Sequence, residues 1–445
     1  MKKIDLTKGN VMNVLLALAL PIMGTSLLQF TYNLVDMLWV GRLGSDAVAS
    51  IGSSSFFTGM GYAINALIMI GTGIKVSHCM GKEDHEGVKE YIQTGMILSA
   101  VIGVCYMVIL LGFGRSFIGF LQLNNEKVAS DAYLYLAWSA PMLFFGFFNN
   151  LFSRIFASLG NSKSALKINV VGVVTNIILD PILIYGAKWG VAGAAIATLI
   201  ANIIMFMLYL RVGKDVFVVH LKKKVDLKKV KEITQLGTPI AFQRILFTLI
   251  NIMLAKMIAT FGADAVAAQK IGLQIESITY MVTGGLNGAV ASFIGQNYGA
   301  KEYNRLHKGY RTALVIGIIY SALSTLIFWI FPEQLAGLFV EKQATIAIAS
   351  GYLRIIAYSQ IFNAMEMVSN GFLTGIGKPK IPSYVSVIFT ALRLPMAYIC
   401  IRYLGVEGIW WSITLSTILK GSILVSIYLF RIKEKLIKDL SGVNK

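Results

Sequence analysis

Gly44-Ser45-Asp46-Ala47-Val48-Ala49 returns as Gly262-Ala263-Asp264-Ala265-Val266-Ala267, 218 positions later. The same offset pairs Pro21 with Pro239, Asn33 with Asn251 and Gly81 with Gly299, so roughly sixty residues repeat without a gap. Further on the offset falls to 217 for Gly160 and Gly377, and to 215 for Gly190-Val191-x-Gly193 against Gly405-Val406-x-Gly408. Small loop deletions in a duplicated chain leave such a drift.

What is duplicated is membrane-spanning sequence. The 445 residues are 56% hydrophobic and 14% charged, too apolar for an ordinary soluble domain. A hydrocarbon layer about 30 Å thick takes roughly 20 apolar helical residues, and that template fits about twelve times. The predicted spans are 11–39, 48–73, 91–114, 130–153, 165–186, 190–210, 235–259, 271–294, 310–331, 345–370, 381–403 and 407–430. The expected fold is an all-α polytopic membrane protein with 12 transmembrane helices in two pseudo-symmetric six-helix bundles. Six spans per copy is an even number, so the copies are parallel repeats about an axis along the membrane normal. The domain boundaries follow: an N-terminal lobe over 1–213, a basic linker over 214–231 and a C-terminal lobe over 232–445.

The net charge of +18 is explained by where it sits. About 28 Lys and Arg fall in the termini and even-numbered connections, against about eight in the odd-numbered ones. The linker carries Lys222, Lys223, Lys224, Lys228 and Lys229. By the positive-inside rule both termini and the linker face the cytoplasm, which places the chain in the cell membrane and argues against nucleic acid as a partner. Met1-Lys2-Lys3 leads into an uninterrupted span, so no cleaved leader is expected. Cys79, Cys105, Cys400 and the four histidines are scattered, which predicts neither a disulfide framework nor a structural metal. No cofactor is expected, and the chain is expected to be a monomer.

Ionisable residues at membrane depth are costly, so each is a functional candidate. Asp36 ends a stripe of Thr25, Gln29, Tyr32, Asn33 and Asp36 on one face of the first span. Asp180 follows Asn176 by one turn and Asn169 by three on the fifth. Thr198 and Asn202 lie four apart on the sixth, and the fourth offers Tyr135, Ser139, Asn149 and Asn150. These faces predict a polar chamber in the N-terminal half. In the second repeat Leu254 answers Asp36 and the Pro395 region answers Asp180, so the acids are not a scaffold requirement of the repeat. Two bland readings stay open: Asp36 paired with Arg42 at the interface, and Asp180 as a cap where the fifth helix breaks at Pro181.

Two carboxylates in a low-dielectric chamber repel unless a proton or cation neutralises them, and their oxygens with amide and hydroxyl neighbours suit H+ or Na+. Pro21 removes a backbone hydrogen bond from the first span and is either a bending point or a static kink. In the C-terminal half, Glu276 and Glu366 form a possible second site or pair structurally with Arg244 or Arg393. The membrane-depth arginines read from the sequence all lie in that half.

The order of these features resembles the multidrug and toxic compound extrusion (MATE) transporters. The resemblance covers almost the whole chain, through Gly41-Arg42-Leu43-Gly44, Leu179-Asp180-Pro181, Gly190-Val191-Ala192-Gly193-Ala194-Ala195-Ile196-Ala197-Thr198 and Gly295-Gln296-Asn297-Tyr298-Gly299-Ala300. It implies a cation-coupling set of Asp36, Asn176, Asp180 and Thr198, with Pro21 as the bending proline. Glu366 matches the tenth-span acid of a second branch, whereas Gln243 and Arg244 stand where that branch has a glutamate. The implied function is Na+- or H+-coupled antiport of amphipathic, often cationic compounds. A lipid-linked oligosaccharide flippase is the alternative, and a membrane-embedded transferase is disfavoured because clustered His, Cys or Asp at a membrane face is missing.

Overall fold

The computed structural model describes residues 4–121, 123, 125–217 and 226–433; Lys222, Lys223 and Lys224 of the linker and the chain beyond residue 433 lie outside them. The first half of the chain forms α1 (Val11–Gly41), α2 (Ser45–Gly81), α3 (His85–Phe120), α4 (Glu126–Ser158), α5 (Ser162–Pro181) and α6 (Gly190–Val212). The second half forms α7 (Leu227–Ala259), α8 (Ala263–Gly299), α9 (Tyr303–Ile330), a one-turn α10 (Pro332–Gly337), α11 (Gln343–Ala357), α12 (Gln360–Gly375), α13 (Lys380–Ala391), α14 (Arg393–Leu404) and α15 (Glu407–Ile427). Nine segments among the described residues are long and apolar enough to cross a membrane. The expected spans missing from that set are α4, α8 and the α11–α12 pair, whose interior faces carry the polar and charged residues discussed below.

The tenth and eleventh spans, expected as continuous helices, are each divided. For the eleventh the cause is Pro395, third residue of α14: it has no N–H to give the carbonyl four residues back, and its ring clashes there, so α13 stops at Ala391. The tenth parts at Tyr358-Ser359, where the Ser359 hydroxyl donates to the Ile356 carbonyl at 2.8 Å. The fifth does the reverse. It passes through Pro181 into a π turn, Ile182–Gly186, closed by Ala187 N–H donating to Ile182 O at 2.8 Å.

The duplication is written in the backbone. Gly44 and Gly262, the residues before α2 and α8, have φ of 107° and 99°, a region closed to most side chains. Glu83 and Lys301, again 218 apart, both adopt a left-handed φ, 58° and 59°. A Cβ on Gly193 would meet the Leu183 carbonyl carbon at 2.8 Å, and one on Gly408 would meet that of Cys400 at 2.5 Å, the same close approach made twice.

Two compact units result, one built on Gly24–Ala241 and the other on Asp5–Met23 with the chain from Phe242 onward. The changeover in α1 falls just after Pro21, and in α7 just after Pro239. In the first unit, the opening turns of α7 pack on α2 so closely that a Cβ on Gly237 would lie 1.8 Å from the Leu67 carbonyl oxygen. Charge pins the same turns: Glu232 pairs with Lys75 at 2.8 Å and accepts from the Tyr91 hydroxyl, and Lys229 pairs with Glu90. In the second unit, Arg305 donates from Nη1 to the Gly9 carbonyl at 2.6 Å and from Nη2 to those of Leu6 and Lys8 at 3.1 Å. Met23 sits against Gly285.

Lipid tails are as apolar as leucine, so helix association here depends on close packing and interhelical hydrogen bonds. Along α2 and α4, Ser50 donates to the Val128 carbonyl at 3.0 Å, Ser54 to Ala132 at 2.7 Å, and Ser158 back to Gly73 at 3.0 Å. An aromatic cluster with Phe152, Phe156, Tyr209 and Phe217 fills one end of this unit. The second unit centres on Tyr352 and Trp410, edge to face at 5.4 Å. Gly193→Val and Gly408→Val should each lower the melting temperature of the purified protein, in line with an overpacking cost of about 1–3 kcal/mol. Gly112→Ala, which meets nothing within 4 Å, should leave it unchanged.

Candidate functional site

A hydrogen-bonded polar cluster lies where α1, α5 and α6 meet within the first unit. Asp180 is fully buried and Asn176 nearly so. With its nitrogen turned to the acid, the Asn176 amide donates to Asp180 Oδ2 at 2.8 Å and accepts from the Thr198 hydroxyl at 3.1 Å. The Tyr32 hydroxyl lies 3.0 Å from Thr198 Oγ1. Asp36, one turn beyond Tyr32, is close enough to Tyr32, Tyr135 and Asp180 to interact with them electrostatically. Its Oδ1 is buried and has no hydrogen-bond partner among the described residues.

Local structure sets this register. The π turn after Pro181 aims the Tyr185 hydroxyl at the Trp39 carbonyl, to which it donates, and the two rings meet edge-on at 6.2 Å. Trp39 is three residues past Asp36, and Tyr185 five past Asp180, so this contact holds the two acids at one level. Val40, Ala47, Ile184, Val191 and Ala194 close over that end as an apolar layer. The cluster continues through α6 to α4: Asn202 donates to the Thr198 carbonyl at 2.9 Å, and Asn149 donates to the Asn202 carbonyl at 2.9 Å and to its Oδ1 at 3.0 Å.

Both bland readings of the acids lose their support. Arg42 stacks over the Trp39 ring at 5.1 Å and forms no salt bridge with Asp36 among those described. Asp180 caps nothing, because the helix runs on past it, and a carboxylate near a helix C-terminus opposes the dipole. Other residues of the expected chamber are not part of this cluster. Gln29 and Asn33 bond to each other at 3.5 Å on an exposed face, and Asn150 has no described bond to the acids. Asn169 is a tether: it donates to the Ala165 carbonyl at 2.8 Å and to the Tyr209 hydroxyl at 2.9 Å, at the aromatic end.

In the second unit Glu366 and Lys420 form a buried pair at 2.9 Å, and Glu276 accepts from Tyr352 at 2.6 Å and from Gln360 at 3.4 Å. Neither expected partner, Arg244 or Arg393, forms a salt bridge with these acids among the described residues, although Arg393 is close enough to Glu276 to act on it electrostatically. Arg393 donates to Ser416 at 3.1 Å and to Thr417 at 3.3 Å, because the break before α14 turns it toward α15. Beside Glu366, Asn363 is 1% exposed with neither amide atom bonded among the described residues.

Residues 21–182 and 239–399 match the family model MatE, one block per repeat. The chain belongs to the MatE family. It is a multi-pass membrane transporter, and the transferase reading falls. The MatE chain is 25% identical over 435 residues to the probable multidrug resistance protein NorM of Thermotoga maritima, covering 93% of this chain and 91% of the relative. It is 28% identical to YoeA of Bacillus subtilis, a probable multidrug resistance protein, over 91% of this chain and 90% of that one. The multidrug export protein MepA of Staphylococcus aureus is 24% identical over 95% of both chains. Among solved structures, the outward-facing conformation of a multidrug resistance MATE family transporter superposes with a TM-score of 0.92 at 25% identity, over 98% of this chain and 99% of the other.

One partly buried charge is not singled out by the sequence. Hydropathy ends the fourth span at residue 153, just before Arg154, but α4 runs on to Ser158 and lays the Arg154 side chain against Gly73, where a Cβ would come within 2.5 Å of Nε. The membrane-depth arginines are therefore not confined to the C-terminal half. The MatE chain also makes a test of the Glu366 pair straightforward. Lys420→Met alone should destabilise the purified protein by about 3–5 kcal/mol, and adding Glu366→Gln should recover most of that loss, as measured by thermal unfolding.

Proposed function

We propose that this chain is a secondary active exporter, coupling inward movement of H+ or Na+ to outward movement of an amphipathic, often cationic organic compound. The observation that carries this reading is the convergence of Asp36 and Asp180, from separate helices, on one buried hydrogen-bonded cluster. Two carboxylates there cannot both stay charged and empty-handed at low cost. A proton or sodium ion supplies the compensation, with Asp36 as the open ligand and Asn176 and Thr198 orienting Asp180. Each positive charge entering down the membrane potential brings about 2.3 kcal/mol per 100 mV.

Loading and unloading of this cluster then biases the transporter between inward-open and outward-open states, since a ligand shifts an equilibrium by its differential affinity for the two. Pro21 supplies the compliant point of α1, two residues before its changeover between compact units, and Asp36 sits on the same helix four turns further on. The names of the Thermotoga, Bacillus and Staphylococcus relatives point to organic compounds as cargo. Basic connections and both termini face the cytoplasm, and the working unit is a monomer. A flippase for pyrophosphate-linked sugars would want several free cations in its chamber; Lys420 is engaged by Glu366 and Arg393 by Ser416 and Thr417, which leaves Arg244 exposed without an ion pair among the described residues.

Expressed in cells stripped of their own efflux pumps, the wild type should lower the accumulation of a fluorescent cation such as ethidium. Asp36→Asn and Asp180→Asn should each cut the efflux rate by about tenfold or more, the size of a lost coupling contact. Asn169→Ala should keep it. Efflux that survives both acid substitutions would remove the cluster from the mechanism.

A further inference from the structure

Within the second unit, the first turns of α9 and the start of α1 line an open surface pocket of about 470 Å³. Its charged walls are Arg305, Lys308 and Arg311, three cations at three-residue spacing on one helix face, and no acid among the described residues lines it. Arg305 is fixed in place by its bonds to Asn297 Oδ1 at 3.1 Å and to three backbone carbonyls, leaving one N–H of Nη1 uncommitted. Lys308 and Arg311 are exposed and make no ion pair among the described residues. Asp5, the acid nearest in sequence to the α1 wall, is taken up by Thr7 at 2.6 Å and Lys8 at 3.6 Å. Lys433 and Arg311 both act on His307, so the local field stays positive beyond the pocket itself.

Three like charges on one helix face raise the local positive potential, and sharing an anion relieves their mutual repulsion. The α1 terminus does not itself supply the site, since Asn10 Oδ1 already accepts from the Asn13 N–H at 3.2 Å. The anion must be compact enough for the pocket and rich enough in oxygens to engage several donors, which describes a phosphate group. Met12, 39% exposed, forms an apolar wall beside the cations. We propose that Arg305, Lys308 and Arg311 bind a phosphate group, supplied by the head group of an anionic phospholipid in the leaflet that meets this end of α1 and α9. Arg305 is the rigid floor with one donor left, and Lys308 and Arg311 are the adaptable arms that close on the phosphate oxygens. The site lies outside the Asp36–Asp180 cluster, and its occupancy is read by binding, so it stands or falls separately from the export reading.

The full-length protein, purified in a neutral detergent, is titrated with phosphatidylglycerol, with phosphatidylcholine, and with soluble glycerol 3-phosphate. Binding is followed by native mass spectrometry and by thermal stabilisation. Wild type should retain phosphatidylglycerol over phosphatidylcholine, and Lys308→Gln with Arg311→Gln should weaken that retention by about thirtyfold while remaining monodisperse. Selective binding of glycerol 3-phosphate with no lipid preference would keep the phosphate site and overturn the lipid as its source. Equal lipid and phosphate binding by wild type and the double variant would overturn the site. If the double variant fails to fold, Lys308→Gln and Arg311→Gln singly, each expected to weaken retention about fivefold, decide in its place.

Discussion

Hydrocarbon offers a buried polar group nothing to bond with, and the rest of this architecture follows from that constraint. Backbone groups are satisfied inside helices, and many of the polar side chains that enter the interior are answered across helix faces. Ser50, Ser54 and Ser158 give their protons to carbonyls of a neighbouring helix. Glu366 takes Lys420, and Glu276 takes Tyr352 and Gln360. Asp36 keeps a buried carboxylate oxygen without a hydrogen-bond partner among the described residues, one turn from the Tyr32–Thr198–Asn176–Asp180 chain, and the proposed coupling role is built on it.

Duplication supplies the frame and asymmetry supplies the function. Both repeats carry the glycine before the second helix, the left-handed residue after it and the paired proline of the first. They diverge in how they treat their fifth spans. In the first repeat the chain runs through Pro181 into a π turn and presents Asp180 to the interior. In the second, Pro395 stops the helix and Arg393 takes the buried position. One scaffold thus holds an acidic cluster with an open ligand position in one half and a closed ion pair in the other.

Much of this was legible because membrane length, charge asymmetry and an ungapped repeat are strong signals. The polar stripe through Tyr32 and Asp36, and the turn from Asn176 to Asp180, followed from helical spacing alone. Spacing on one helix does not say which helix lies opposite. Asn169, on the same face as Asn176, reaches Tyr209 instead of the acids, and Gln29 and Asn33 bond to each other on an exposed stretch of α1. Lys420 was visible as a charge, but its pairing with Glu366 depends on how α12 meets α15. Arg154 was hidden by a span end drawn from hydropathy, since helices here run several residues past their apolar windows.

The measurement closest to the central claim is substrate flux in proteoliposomes under an imposed pH or sodium gradient. Wild type should move substrate against its concentration when one of the two gradients is applied. Asp36→Asn and Asp180→Asn should each abolish the gradient-driven component while still exchanging substrate at equilibrium. Variants that accumulate substrate as the wild type does, under the same gradient, would contradict the account.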